Sequence, residues 1–358
     1  MHKEVKMELL KKLTDINGVS GHESQVRKFL ETELSKIVGS NNISYDNLGS
    51  VIAKLGYNGP RIMISGHMDE IGMIVTKITD DGFLKFQTIG GWWSQVMLAQ
   101  QMNVTTSDNK VILGVTGSKP PHILSEEERK NPIKIEDMFI DIGVTSKKEV
   151  EDLGIKLGDM ITPAIDFKVM ANNDFLLAKA WDDRIGCAIV VEALKSLKEA
   201  QHNNIVYGVG TVQEEVGLRG AKTASQIIKP DISIAIDVTI AKDIPGTDGQ
   251  TKMGNGPVVL LYDSGLVGHV GLREFFVEVA KTNNIPIQFD YLARGGTDAG
   301  QMHLAHHGSP AISLCIASRY IHSHTSMISK KDYENCIKLV VEVIKALNEE
   351  TVKDITFN

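Results

Sequence analysis

The sequence has few cysteines, no long apolar run and no excess of positive charge. Cys187, Cys315 and Cys336 are the only cysteines among the 358 residues, and no two of them have the CxxC spacing of a zinc or redox motif. Such sparse use of cysteine is typical of a reducing compartment, so we expect a cytoplasmic location. No uncharged apolar stretch reaches the roughly 18 residues that a transmembrane helix needs.

The charge balance argues against two classes of partner. The formal net charge is −7, and basic clusters such as Lys147-Lys148 and Lys330-Lys331 are short. A surface that binds nucleic acid or an anionic membrane needs an excess of positive charge. We therefore expect neither nucleic acid nor membrane as a main partner. The apolar fraction of 42% permits a sizeable core.

Hydrophobic periodicity divides the chain into two kinds of structure. Apolar residues recur at helical spacing in residues 24–38, after Asp182 and in residues 331–348. Apolar runs over 43–55 and 61–66 predict strands. After Asp182 helices alternate with short apolar strands, which predicts a mostly parallel sheet wrapped by helices.

The segment between these parts has a different pattern. From about residue 70 to residue 164 the apolar runs are short and are interrupted by glycine and aspartate, and only residues 146–153 have a helical pattern. The sequence therefore predicts an α/β domain formed by residues 1–69 and 165–358. A small all-β domain over 70–164 is inserted into it.

Several predicted strands end in side chains that can bind metal. His67 and Asp69 follow one apolar run, Glu214 and Glu215 a second, and Asp237 a third; His322 and His324 come a few residues after a fourth. Asp182 and Asp183 begin a predicted helix. In an open α/β sheet, ligands gather outside the carboxyl ends of the strands. These side chains could therefore form the site of a two-metal hydrolase.

Each motif also has a structural interpretation. His67 could lie in a simple turn with Asp69 beside it, and Asp237 could cap a following segment. At positions 182 and 183, one aspartate could cap the helix while Arg184 neutralises the other. Either His322 or His324 could point toward the site.

The adjacent carboxylates Glu214 and Glu215 are the strongest signal. Two neighbouring negative charges repel, and the repulsion grows where an apolar context lowers the dielectric constant. A cation or a shared proton would relieve it. One glutamate could bind a metal while its neighbour reaches a water molecule on that metal.

A glycine-rich loop and three basic residues are candidates for contact with the substrate. Residues 294–300, Arg-Gly-Gly-Thr-Asp-Ala-Gly, match no nucleotide-binding fingerprint, so we expect a loop that faces the substrate. An acidic substrate side chain would need a basic partner, for which Lys252, Arg294 and Arg319 are candidates. The sequence does not decide between them.

Taken in order, these motifs resemble those of a known family. The chain looks like a member of the glutamyl and deblocking aminopeptidase family of di-metal exopeptidases, and the resemblance covers essentially its whole length. The motifs that carry it are His67-Met68-Asp69, Trp181-Asp182-Asp183-Arg184, Gln213-Glu214-Glu215-Val216-Gly217, Asp237-Val238-Thr239, Gly295-Gly296-Thr297-Asp298-Ala299 and Tyr320-Ile321-His322-Ser323.

The resemblance implies a role for each site residue. His67 and Asp237 would hold one metal, Glu215 and His322 the other, and Asp182 would bridge both. Glu214 would be the general base and Asp69 would support His67. The family pattern favours His322 over His324, and it implies an uncommon cis peptide bond between Asp182 and Asp183.

The resemblance also implies the fold and the assembly. We expect a di-zinc exopeptidase-like catalytic domain. The insert over 70–164 would be an oligomerisation domain that covers the active site. Family members commonly form twelve-subunit tetrahedral particles whose active sites face an inner chamber, so a homododecamer is expected.

The expected function is that of a metal-dependent aminopeptidase. It would cleave peptides with a free N-terminus, using a metal-bridging water and the Glu214 base. Two divalent ions per subunit are expected; zinc or cobalt fits best, and the ligands do not separate them from manganese. Two alternatives remain: glycoside hydrolysis by paired carboxylates, and a structural metal site in an assembly protein. The second is disfavoured because structural zinc sites are usually closed and rich in cysteine.

Overall fold

The structure is a computed structural model that describes the backbone of residues 2–357 and the side chains from Met7 onward. Its helices are α1 (His2–Asp15), α2 (Ser24–Val38), α3 (Glu126–Lys130), α4 (Lys147–Asp152), α5 (Trp181–Lys198), α6 (Arg219–Ile228), α7 (Val270–Thr282), α8 (Ala299–Met302), α9 (Lys330–Ala346) and α10 (Glu349–Phe357). Within this part of the chain, no helix is long and apolar enough to cross a membrane.

The strands form one large sheet and one closed barrel. They are β1 (Ile43–Tyr45), β2 (Val51–Leu55), β3 (Arg61–His67), β4 (Gly72–Ile78), β5 (Leu84–Ile89), β6 (Gln101–Thr105), β7 (Val111–Gly117), β8 (Phe139–Asp141), β9 (Met160–Pro163), β10 (Lys168–Val169), β11 (Phe175–Ala178), β12 (Ile205–Thr211), β13 (Ile232–Ile240), β14 (Val258–Asp263), β15 (Leu266–Val267), β16 (Gln288–Tyr291), β17 (Ala311–Arg319) and β18 (Ser326–Ser329).

The large sheet is parallel at its centre. Its main path runs β1-β2-β12-β3-β13-β17-β18-β11-β10, with β14, β15 and β16 attached through β17. The four central strands β12, β3, β13 and β17 are parallel to one another, whereas β2 and β18 pair with them antiparallel. The predicted α/β fold is confirmed, and the parallel strands direct their carboxyl ends to the same edge.

Helices cover both faces of this sheet. The larger core includes buried residues of α2, α5 and α9, among them Leu30, Ile189 and Val340. A second core lies on the opposite face, where Ala224 of α6 and Met302 of α8 are buried. The predicted wrapping by helices is therefore confirmed, because each face of the sheet buries its apolar side chains against a different set of helices.

Helix α2 has the bounds that its spacing predicts. Val26, Leu30, Leu34 and Ile37 recur at intervals of three or four residues and are buried. The C-terminal helix predicted over 331–348 is wrong at its end. Its backbone leaves the helical region at Leu347, whose ψ is 139°. Asn348 then accepts hydrogen bonds from the N–H groups of the first turn of α10.

The strand predicted over 43–55 is two strands. Oδ1 of Asp46 accepts hydrogen bonds from the N–H groups of Leu48, Gly49 and Ser50 and so closes a turn between β1 and β2. Aspartate commonly forms such turns because its side chain reaches the backbone two residues ahead. The two strands then pair antiparallel, with Tyr45 opposite Val51.

The barrel is formed by β4-β5-β8-β7-β6-β9. Its strands all lie inside residues 70–164, the range predicted for the insert; that this range is a separate domain stays a prediction. The expectation of a single helix there is wrong, because α3 accompanies α4. Helix α3 begins with a capping box. The Ser125 hydroxyl accepts the backbone N–H of Glu128, and the Glu128 carboxylate accepts the backbone N–H of Ser125.

Candidate metal centre

His67 ends β3 at the centre of the sheet. It lies opposite Thr211, the last residue of β12, in the parallel register. Nδ1 of His67 donates to the main-chain oxygen of Asp69 at 2.9 Å, because a carbonyl oxygen can only accept. In the neutral ring, the lone pair is then on Nε2, on the other side from this hydrogen bond. Imidazole nitrogens oriented in this way are typical metal ligands.

Helix α5 approaches β3 closely at its N-terminus. A Cβ added to Gly66 of β3 would lie 2.4 Å from the carbonyl carbon of Gly186, so glycine is required at this crossing. The approach brings Asp182 to His67. The peptide bond between Asp182 and Asp183 is cis, which confirms the expectation from the family resemblance.

Asp183 and Arg184 make contacts that hold the backbone in place, whereas the Asp182 carboxylate points toward the cluster. The Asp183 carboxylate accepts the N–H groups of His67 at 3.0 Å and Gly186 at 2.9 Å, so the capping role belongs to Asp183. The interpretation that Arg184 neutralises an aspartate is wrong. Its guanidinium donates to the main-chain oxygen of Met68 and pairs with Glu70.

Asp182 lies between the two histidines. Its Oδ1 is 3.0 Å from Nε2 of His67, and its Oδ2 is 3.3 Å from Nε2 of His322. Each carboxylate oxygen therefore faces a different imidazole. This is the arrangement expected of a bridging ligand.

Glu214 and Glu215 follow β12 and are oriented by Asp69. The Asp69 carboxylate accepts the backbone N–H of Glu214 at 3.0 Å and of Glu215 at 3.1 Å, and it also accepts the Ser20 hydroxyl. Its nearest oxygen is 3.6 Å from Nδ1 of His67. The side chain of Asp69 therefore fixes the two glutamates at least as directly as it supports His67.

The two glutamates diverge from this anchor. Oε2 of Glu214 is 3.8 Å from Nε2 of His67, whereas Oε1 of Glu215 is 3.4 Å from Nε2 of His322. Oε1 of Glu215 is buried, and no described donor other than this long contact with His322 reaches it. A buried carboxylate oxygen without a donor is costly, and a cation would satisfy it.

Asp237 lies inside a strand. β13 extends to Ile240, four residues beyond the apolar run that ends at Ile236, so Asp237 caps no element. Its Oδ1 accepts the N–H of Val238 at 2.7 Å.

The structure separates the two candidate histidines. His322 lies after β17 in a left-handed conformation with φ 55°, and its ring faces Asp182 and Glu215. Nε2 of His324 instead donates to the main-chain oxygen of Gln101 in the barrel at 2.7 Å. The structure therefore brings His322, and not His324, to the cluster.

These side chains form overlapping groups that could hold a metal ion. One ligand atom from each of His67, Asp182 and Asp237 lies within 4.8 Å of the others, and the same holds for Asp182, Glu215 and His322. A third group joins His67 to both glutamates. Imidazole and carboxylate donors suit zinc, cobalt or manganese. The residues therefore fit a pair of divalent cations.

The electrostatics of the cluster indicate a missing positive charge. Burial, with the nearby Asp182 and Asp237 charges, raises the pKa values of Glu215, Asp237 and Glu214. Burial alone would lower the pKa of His322, but Asp182 and Glu215 raise it to about 11. A raised histidine pKa of this kind shows that the surrounding carboxylates carry negative charge that the other described groups nearby do not fully balance. Bound divalent ions would supply that charge and leave the Nε2 atoms unprotonated.

Glu23 is a buried carboxyl group that the sequence analysis missed. Its Oε1 accepts the N–H of Gly21 at 2.9 Å and of Gln213 at 3.0 Å, so it fixes the residue before the two glutamates. Burial and the Asp69 charge raise the pKa of Glu23 to about 7. The sequence signal was only a turn before α2.

This raised pKa predicts a pH effect on the metal-free protein. Folded Glu23 keeps its proton up to about pH 7, against a value of 4.5 in the unfolded chain. Its contribution to stability is therefore present below pH 4.5 and is lost as pH rises through 7. Between these limits we expect wild type to lose up to about 3 kcal/mol of unfolding free energy relative to Glu23→Gln.

Urea unfolding in chelator at several pH values measures this difference. The exposed Glu278 provides a control, since Glu278→Gln removes a carboxylate that is not buried. Parallel stability curves for wild type and Glu23→Gln would contradict the raised pKa.

A cavity of about 650 Å³ opens beside the cluster. Its wall combines apolar side chains, including Ile240, Leu292 and Ile321, with the loop that contains Arg294. Of the three candidate cations for an acidic substrate, Arg319 is bound by both oxygens of Asp243 at 2.9 and 2.7 Å. Lys252 is exposed and does not line the cavity. Arg294 does line it, and within the described part of the chain it has no ion pair.

Comparison with known proteins agrees with this architecture. A family model described as M42 glutamyl aminopeptidase matches residues 49–339, and a second model described as AMPT matches residues 4–30. A lysyl aminopeptidase from Pyrococcus furiosus is 36% identical over 97% of both chains. A glutamyl aminopeptidase from Lactococcus lactis is 34% identical over 97% of this chain and 98% of the relative.

Solved structures of similar chains have the same fold. A TET aminopeptidase from a marine sediment archaeon of the Thaumarchaeota superimposes with a TM-score of 0.96 at 43% identity, covering 99% of this chain and 100% of that chain. PhTET1-12s, described as a dodecamer, superimposes with a TM-score of 0.85 at 34% identity, covering 95% and 99% of the two chains.

Proposed function

The chain belongs to the M42 glutamyl aminopeptidase family, and from that premise we propose that it is a two-metal enzyme that removes N-terminal residues from peptides. Family membership and the names of its relatives support aminopeptidase activity. The observation that carries the finer proposal is the pair of ligand groups that share Asp182, each with its own histidine. They lie beside a cavity large enough for an amino-acid side chain.

The ligands divide between two subsites. His67 and Asp237 would hold one cation, Glu215 and His322 the other, and Asp182 would contribute one oxygen to each. When bound, two such cations would lower the pKa of the attacking water and polarise the scissile carbonyl group. Zinc or cobalt fits these ligands best, with manganese as the alternative.

Glu214 is the proposed general base. It is buried with only 9% of its surface exposed, and its backbone N–H is held by Asp69. Its Oε2 lies on the His67 side of the cluster at 3.8 Å from Nε2. From there it would accept a proton from the attacking water and return it to the departing amine.

Arg294 is the proposed contact for an acidic first residue. It is exposed on the cavity wall and lacks an ion pair within the described residues, so its guanidinium is free to bind a carboxylate. The metal-binding carboxylates would be neutralised by their cations. An acidic side chain would then meet a cation at the wall, and a lysine side chain would be repelled.

We also propose that the barrel mediates self-association, with a homododecamer as the expected assembly. Val111, Leu113 and Val115 alternate along β7 and are 51%, 56% and 41% exposed, which forms an apolar stripe on the outside of the barrel. Contiguous exposed apolar side chains often mark protein–protein contacts. The related PhTET1-12s is described as a dodecamer. Analytical ultracentrifugation of the native protein would measure the number of subunits.

Metal removal and restoration test the function directly. We expect metal-stripped protein to hydrolyse no aminoacyl-anilide, and added zinc, cobalt or manganese to restore cleavage, because the base requires a water activated by the cations. A panel with glutamyl, leucyl and lysyl anilides measures both the restored rate of cleavage and the preference for the first residue of the substrate. Glutamyl substrates are expected to be cleaved fastest.

Other outcomes would favour different functions. Glycoside hydrolysis by paired carboxylates needs no metal and would not use His67 or His322. Cleavage of a β-glucan that survives a chelator would therefore favour that alternative. Bound metal without cleavage of any anilide or peptide would instead favour a structural site.

A further inference from the structure

We propose that the barrel is part of the metal centre, because the segment Gly90–Gly91 positions the two ligands Glu215 and His322. This inference rests on the proposed two-metal function and adds positioning residues to it. The segment follows β5, so it belongs to the insert and not to the large sheet. Gly91 nevertheless lines the same cavity as Asp182 and His322.

Gly91 packs against the ring of His322. A Cβ added at this position would lie 3.0 Å from Nδ1 and 3.5 Å from Cε1 of His322, and apart from the adjacent residues no other described residue has an atom within 4 Å of it. Gly91 does not have a positive φ, so the backbone itself tolerates a side chain here. The Nε2 edge of the same ring faces Asp182 and Glu215. The absence of a side chain at Gly91 therefore leaves room for the imidazole in the position where Nε2 faces the other ligands.

Gly90 packs against the second ligand. An added Cβ would lie 2.9 Å from Oε2 of Glu215 and 2.6 Å from Cγ2 of Ile71. Its φ of 74° also favours glycine. Oε1 of the same carboxylate faces His322. Consecutive glycines thus make room for the two ligands of one subsite.

The segment with Gly91 and the loop with His322 are each hydrogen-bonded to the barrel through a nearby residue. Nε1 of Trp92, the next residue, donates to the main-chain oxygen of Gly72 at the start of β4. On the opposite side, His324 donates to Gln101 at the start of β6. The loop that carries His322 is therefore in contact with the barrel at two separate points.

The other subsite is placed differently. His67 and Asp237 lie within β3 and β13 of the large sheet, where pairing with β12 and β17 fixes their backbones. A shift of the barrel relative to the sheet would therefore move the surroundings of Glu215 and His322 first. The insert would set the affinity of one subsite and leave the other nearly unchanged.

Gly91→Ala tests this inference by metal binding alone. Calorimetric titration of metal-stripped protein is expected to give two equivalents for wild type. In the variant one equivalent should bind about 10–100-fold more weakly, the usual effect of altering a residue that orients a ligand. The other equivalent should keep its affinity.

Comparison with His322→Ala identifies the affected subsite. This variant should lose the same equivalent, and adding Gly91→Ala to it should change metal binding no further, because both changes act through one imidazole. A further loss in the double variant would mean that Gly91 acts elsewhere, and would overturn the assignment.

Gly117→Ala is the matched control. It also adds a methyl group to a barrel glycine without positive φ, and the added Cβ would lie 2.7 Å from the ring of Phe139. Both metal equivalents should bind to this variant as they do to wild type. Trp92→Phe is a second test that leaves Gly91 intact; removal of its hydrogen bond to Gly72 should weaken the same equivalent by a smaller factor.

The outcomes separate this inference from the proposed function. Wild type that binds fewer than two equivalents would contradict the two-metal proposal itself. Wild-type affinities in both Gly91→Ala and Trp92→Phe, or equal loss of both equivalents in Gly91→Ala, would contradict the role of the barrel. Circular dichroism melts verify that each variant is folded.

Discussion

Replacement of Glu214 with glutamine is expected to lower kcat about 10²–10⁴-fold, the usual contribution of a general base. Glutamine has nearly the same shape, so the hydrogen bond from its backbone N–H to Asp69 can remain. Its side-chain amide cannot accept the proton of the attacking water. Because Glu214 is not among the proposed metal ligands, both metal equivalents should still bind. Anilide kinetics and the metal content of the same sample measure the two quantities.

The neighbouring residue supplies the contrast. Glu215→Gln also removes one negative charge from the cluster, but it removes it from the atom that faces His322. This variant should lose affinity for one metal equivalent, and its activity should recover partly at high metal concentration. Near-native turnover by Glu214→Gln, or recovery of its activity with added metal, would contradict the assignment of Glu214 as the base.

The sequence predicts part of this site well because His67 ends one parallel strand and the two glutamates follow another. Residues that end neighbouring parallel strands meet at one sheet edge whatever the details of packing. His67 and the glutamate pair could therefore be grouped before the structure was known. Their proximity is observed. The roles of His67 and Glu215 as ligands and of Glu214 as the base stay predictions.

Contacts between distant segments could not be predicted in this way. The sequence gives no sign that Gly91 lies against His322, because that contact depends on how the barrel sits on the sheet. The same holds for Glu23, whose carboxylate bonds to Gln213 from the start of another helix. Nor does periodicity distinguish Asp182 from Asp183; only the backbone at the start of α5 turns one carboxylate inward and leaves the other as a cap.

Some local features were predictable and were missed. Ser125 and Glu128 have the spacing of a capping box and mark the start of α3. Asp46, followed by Gly49, is a typical turn signal and divides β1 from β2. In each case a short polar motif marks a boundary that hydrophobic periodicity alone does not show.

Asp182→Asn is expected to weaken the binding of both metal equivalents more than about 100-fold, which exceeds the 10–100-fold effect of residues that only orient a ligand. Asp182 is common to the group with His67 and Asp237 and to the group with Glu215 and His322. Asparagine removes the negative charge and replaces one ligand oxygen with an N–H donor that repels cations. Calorimetric titration and metal analysis of the purified variant measure the loss, and anilide cleavage should disappear with it.

Asp332→Asn is the control for replacement of a buried aspartate. The Asp332 carboxylate accepts the N–H groups of Gly254 and Gly256, each at 2.7 Å, and lies outside the metal groups. Its replacement should reduce the free energy of unfolding but leave both metal equivalents bound. If Asp182→Asn lost only one equivalent, Asp182 would serve a single subsite. The cluster would then be two independent sites, and a water shared between two metals would no longer be the expected nucleophile.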